Sequence, residues 1–128
     1  MAIRIVRLGS NRSPNEGLRI GTVRRPPRGV PKSEFASGNW YDVWLPNLAP
    51  SPETVKLGQA SSSQRQWASF ARRYRAEMAT ADNTRVLDLL AALSHGASFS
   101  VGCYCEDESR CHRSILRQLL LDRGAEIL

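Results

Sequence analysis

The chain has 128 residues, 41% of them hydrophobic and 23% charged, and its net charge is +6. That length makes one domain around one core, and no apolar run approaches the ~20 residues that span a bilayer. The start, MAIRIVRLGS, lacks the apolar stretch and cleavage site of a secretory signal, so the expectation is a cytoplasmic protein with no membrane partner.

Ile3–Leu8 is short and rich in β-branched residues and reads as a strand. Asn11–Gly17 is turn chemistry, and Leu18–Val23 alternates again as a second strand. RRPPRGVPKSEF follows; Pro26 and Pro27, without amide donors, and the flexible Gly29 make it an extended loop. Asn39–Leu48 is aromatic and briefly helical, broken by Pro46, Pro50 and Pro52. At least two of Trp40, Tyr41 and Trp44 are expected in the core. The clearest helix is Ser63–Thr80, where Trp67, Phe70, Ala71, Tyr74 and Met78 form one apolar stripe. Thr84 reads as the cap of a second helix, Arg85–Ser94, closed by Gly96. Phe99–Cys105 alternates as a strand, Cys111–Arg123 is a helix stopped by Gly124, and Ala125–Leu128 is a short last strand. Strands mixed with helices predict an α/β fold, a single domain over residues 1–128 with a mostly parallel sheet flanked by helices.

Basic charge is concentrated at the start. Residues 1–32 carry Arg4, Arg7, Arg12, Arg19, Arg24, Arg25, Arg28 and Lys32 against Glu16 alone, while the rest of the chain is close to neutral. Such a field attracts phosphates or nucleic acid, although a solvated basic surface has the same composition.

The segment VGCYCEDESRCHRSIL holds all three cysteines and one of the two histidines. An odd cysteine count in a reducing compartment argues against a disulfide framework. Cys103, Cys105, Cys111 and His112 are zinc-compatible ligands. Their spacing is not the paired C-x₂-C of common zinc modules, and adjacent helical residues diverge by about 100°. A second reading makes Cys111, at a helix N-terminus between Arg110 and Arg113, a thiol of lowered pKa. His112 is then its acid or base, and Arg113 a bidentate anion ligand. Cys105 and Arg110 also have the C-x₄-R spacing of a thiolate loop, but Glu106, Asp107 and Glu108 between them would repel an anion and raise the thiol pKa. The third reading is structural: free cysteines are often small buried hydrophobes.

The block TVRRPPRGVPKSEFASGNWYDVWLPNLAPS, then WASFARRYRAEM, then CYCEDESRCHRSIL resembles, in that order, the YeaO-like proteins of the domain of unknown function 488 family. The resemblance runs from roughly Ile3 to Leu121. It implies a small bacterial or archaeal cytosolic α/β protein and no established activity. The family's early arginine and P-R-G turn match Arg24, Pro27, Arg28 and Gly29, and its C-H-R-S element matches Cys111, His112, Arg113 and Ser114. Val23 stands where many members have Asp, so no carboxylate role carries over, and Pro26 replaces an aromatic residue.

The resemblance also suggests that the loop after the second strand and the C-H-R-S element converge at one sheet edge. The leading expectation is an anion site for a phosphate, a nucleotide or a nucleic-acid end. Arg24, Arg28, Arg113 and Ser114 would bind the ligand, His112 would transfer a proton, and Cys111 would act as nucleophile or pack beneath. One alternative is a noncatalytic nucleic-acid-binding module using the basic first quarter. Another is a thiol-based metal or redox sensor. No P-loop or dinucleotide glycine pattern is present, so no cofactor is expected. The sequence leaves enzyme and binding protein both open and sets no oligomeric state.

Overall fold

A computed structural model describes residues 1–128. Strand β1 is Ile3–Arg7, β2 is Leu18–Gly21, β3 is Val43–Trp44 and β4 is Phe99–Cys103. Helix α1 is Pro52–Gln59, α2 is Gln64–Met78, α3 is Ala81–Leu93 and α4 is His112–Asp122. All strands run parallel, in the order β1-β4-β2-β3. The chain is a single small α/β domain, as its alternation of elements predicts. No helix is long and apolar enough to cross a membrane.

Strand β4 is buried along its whole length because it lies between β1 and β2. Ile3, Phe99 and Val101 pack on one face with Phe70, Tyr74 and Met78 of α2, Leu87 and Leu90 of α3, and Ile115, Leu116 and Leu120 of α4. Loops cover the other face. There Arg19, fully buried, donates Nε to Glu16 Oε2 at 2.8 Å and Nη1 to the Ser10 and Asn39 carbonyls, while Ser100 Oγ donates to the same Glu16 oxygen at 2.7 Å. Gly21 has no side chain because a Cβ there would lie 2.4 Å from the Tyr41 ring.

The middle of the chain departs from the sequence expectation. Residues 39–48 supply β3 and one 3₁₀ turn, Pro46–Leu48, rather than a short helix. Helix α1 follows where prolines suggested only interruption. Pro52 stands at its first turn, where no amide hydrogen bond is lost, and Ser51 caps it by accepting from Thr54 N. Helix α3 starts four residues earlier than Thr84 implied, because Thr80 is the cap, accepting from Asn83 N. Strand β4 ends at Cys103, so Cys105 lies beyond it. The last strand contracts to one bridge, Ile127 to Ile3. Of the three aromatics from Trp40 to Trp44, Tyr41 alone is buried; Trp40 is half-buried and Trp44 exposed. The Trp44 indole N–H donates to the Val23 carbonyl at 2.7 Å, which holds the ring at the surface.

Candidate functional site

The topology fixes where a site forms. From β2 the chain moves outward to β3, whereas from β4 it passes through α4 to the far side of β1, at Ile127. The connections diverge between β4 and β2, and a crevice opens there at the carboxyl ends of the strands. Thr22, just after β2, ties the two strands together, its N–H and Oγ1 both donating to the Gly102 carbonyl at 2.9 and 3.0 Å.

The crevice is a cleft of about 1180 Å³. Cys103, Cys105, Cys111 and His112 line it from the β4–α4 segment, and Arg24, Arg25 and Arg28 from the loop after β2. Arg7, Lys56 and Arg110 complete six basic lining residues, and no carboxylate is among them. Trp40 meets Tyr104 edge to face at 6.0 Å, and Trp67 stacks on Phe70 at 4.8 Å; all four rings line the cleft. Helix α1 forms another wall through Pro52, Val55 and Lys56.

The acids between Cys105 and Arg110 do not enter this space. Glu106 reaches Arg7 at 3.6 Å, Asp107 accepts from Ser109 N and Oγ, and Glu108 pairs with Arg117 at 2.7 and 2.9 Å. Two of the early basic residues are likewise engaged elsewhere: Arg19 is buried with Glu16, and Arg12 pairs with Asp42 at 2.8 Å. Arg24 lines the cleft while donating to the Pro50 and Ala49 carbonyls, which orients it.

Arg113 and Ser114 lie outside the cleft. The Ser114 hydroxyl donates to the Cys111 carbonyl at 3.0 Å. Arg113 is 3% exposed, its Nη2 donates to the Cys105 carbonyl at 2.6 Å, and its Nε has no partner. Its position in the first turn of α4 turns it inward, beneath the thiols.

His112 is held at both ring nitrogens. Nε2 lies 2.8 Å from the Thr22 carbonyl oxygen, which only accepts, so Nε2 carries the proton. Nδ1 is therefore unprotonated and stands 3.7 Å from Cys111 Sγ. Burial pushes the His112 pKa down to about 4, so the ring is neutral near pH 7. Cys111 caps α4 with extended backbone, φ −132° and ψ 153°. The divergence expected of two successive helical residues does not apply, and its side chain meets that of its neighbour.

Cys103, Cys111 and His112 are all buried, and their donor atoms lie within 4.8 Å of one another. Cys105, exposed at the mouth, is not one of that trio. The thiols differ in character. The neighbouring Cys103 and Cys111 thiols pull Cys105 well below the usual thiol range, while contacts with Cys105 and Cys111, and burial, push Cys103 up. Cys103 pulls Cys111 down, but Cys105 and burial outweigh it and the net shift is upward. Cys111 is thus not the low-pKa thiol its arginine neighbours suggested; Cys105 is. A cationic cleft with aromatic walls and a thiol–imidazole floor can hold an anion, activate a thiol or bind a thiophilic metal.

No curated protein and no solved structure matches the chain. The family model DUF488-N3a, described as the active DUF488-N3 subclade, matches residues 3–124, and the chain belongs to that family.

Proposed function

We propose that the cleft binds a phosphate-bearing ligand with a planar ring, a nucleotide or the end of a nucleic-acid strand. The observation that carries this reading is the lining: six basic side chains, no carboxylate and two aromatic pairs in one crevice. Arginine forks match phosphate oxygens bidentately, and base rings stack on aromatic faces. The volume slightly exceeds the usual small-ligand range, which suits a nucleotide more than a lone phosphate. Arg28 and Arg110, exposed and free of ion pairs, are the residues proposed to take the phosphate, with Arg24 held ready beside them.

Calorimetric titration with AMP and with adenosine tests this. AMP is expected to bind, adenosine to bind at least about tenfold more weakly, and Arg28→Glu with Arg110→Glu to remove that difference, since charge-assisted hydrogen bonds contribute about 1.5–3 kcal/mol. Equal affinity for the two probes, or an unchanged preference in the double variant, contradicts the reading. A single-stranded oligonucleotide in the same cell separates a strand end from a free nucleotide.

A further inference from the structure

We infer that Cys103, Cys111 and His112 bind a zinc ion at the floor of the cleft, with Cys105 as the fourth ligand. The three buried donors come from two elements, the end of β4 and the start of α4, and lie within 4.8 Å of one another. Zinc–sulfur and zinc–nitrogen bonds of about 2.3 and 2.0–2.1 Å place tetrahedral ligand atoms roughly 3.6 Å apart. The Cys111 Sγ to His112 Nδ1 distance, 3.7 Å, already has that value. The Cys103 donor lies within 4.8 Å of both, and Cys105, exposed and outside that trio, would have to turn inward to complete the shell.

The hydrogen bonding of His112 is that of a metal ligand. Its Nε2–H donates to a backbone carbonyl and fixes the tautomer, leaving Nδ1 directed at the Cys111 sulfur. Sulfur donors with one imidazole select zinc over hard cations such as magnesium or calcium.

The third observation is Arg113. It is 97% buried by its 3% exposure, makes no ion pair, and its Nε is without a partner. A buried guanidinium requires a counter-charge. Zn²⁺ with three thiolates and a neutral imidazole carries one negative charge, which Arg113 balances. A thiol–imidazole dyad uses only Cys111 and His112 and leaves the third buried donor, Cys103, without a role. The zinc centre accounts for all five residues and stands independently of the ligand proposed for the cleft.

The test is metal content of protein purified without chelators, followed by Co²⁺ titration of the metal-free wild-type chain. One zinc per chain is expected, together with the absorption of tetrahedral thiolate-bound cobalt. Cys103→Ser, Cys111→Ser and His112→Gln should abolish retention. Cys105→Ser should still bind but release zinc faster to a competing chelator, and Arg113→Met should bind about 10- to 100-fold more weakly. The wild-type cobalt spectrum does not depend on any variant folding. Metal-free protein that gives no thiolate–cobalt band overturns the inference, as does a band that survives Cys103→Ser and Cys111→Ser together. AMP binding by the metal-free chain, measured alongside, tells failure of the zinc centre from failure of the cleft.

Discussion

Glu16 and Arg19 show how a single pair supports a face of the sheet that no helix covers. The arginine is fully buried and satisfies carbonyls from two loops, while the carboxylate also accepts from Ser100 Oγ and Ser13 N. Glu16→Gln removes the charge opposite Arg19 and is expected to cost about 3–5 kcal/mol, measured by urea unfolding at pH 7. Burial alone would raise the Glu16 pKa, but hydrogen bonds from Arg19, Ser100 and Ser13 outweigh it and hold the group at about 2, below the ordinary 4.5. The unfolded chain therefore binds a proton that the folded chain does not as pH falls from 4.5 towards 2. Stability from this pair is complete above that window and lost within it, and Glu16→Gln should flatten the acid limb there. Neither role was legible in the sequence, where Arg19 counted only as surface charge and Glu16 as the lone acid opposing it. Burial of a charged pair is decided by which loops close over the sheet, and local patterning carries no record of that.

Among the elements, α1 illustrates a signal that was present but outweighed. Ser-Pro-Glu at 51–53 is a helix start, yet three prolines in seven residues read as interruption. The helix is eight residues long and depends on tertiary support. Glu77 of α2 accepts from Ser51 N at 2.9 Å, Ser51 Oγ at 2.7 Å and Thr54 Oγ1 at 2.6 Å, pinning the first turn of α1. Glu77→Ala should destabilise the protein by about 1–3 kcal/mol and speed amide exchange in α1 while α3 stays protected; uniform loss of protection would contradict this local role. By contrast, the α2 stripe was plain from spacing alone, and Phe70, Tyr74 and Met78 form its buried face. Strands β1, β2 and β4 were also legible, β1 from its β-branched residues and β2 and β4 from alternation, because both signals are local. The two-residue β3 was not, since its pairing to β2 is set by the long loop between them.

At the scale of the molecule, the parallel sheet brings three sequence-distant stretches to one cleft. The loop after β2, the start of α1 and the β4–α4 segment meet only because connections diverge between β2 and β4. The sequence separated the cysteine cluster from the basic first quarter and, with the family resemblance, pointed to their meeting. It placed Arg113 among the ligand residues, which a helix position cannot refine without knowing which face is buried. If the cleft takes a phosphate as proposed, its binding should weaken as ionic strength rises, since Arg7, Arg25, Arg28 and Arg110 of the lining are exposed.

The most direct test of the cleft is a series of amide correlation spectra recorded as AMP is added to the isotopically labelled protein. The largest shifts are expected at the Trp40 indole N–H, in the Arg24–Gly29 loop and from Cys105 to Cys111, with α3 unmoved. An absence of shifts, or shifts gathered on the outer surface of α3 around Leu89 and Leu93, would contradict the assignment of this cleft as the ligand site.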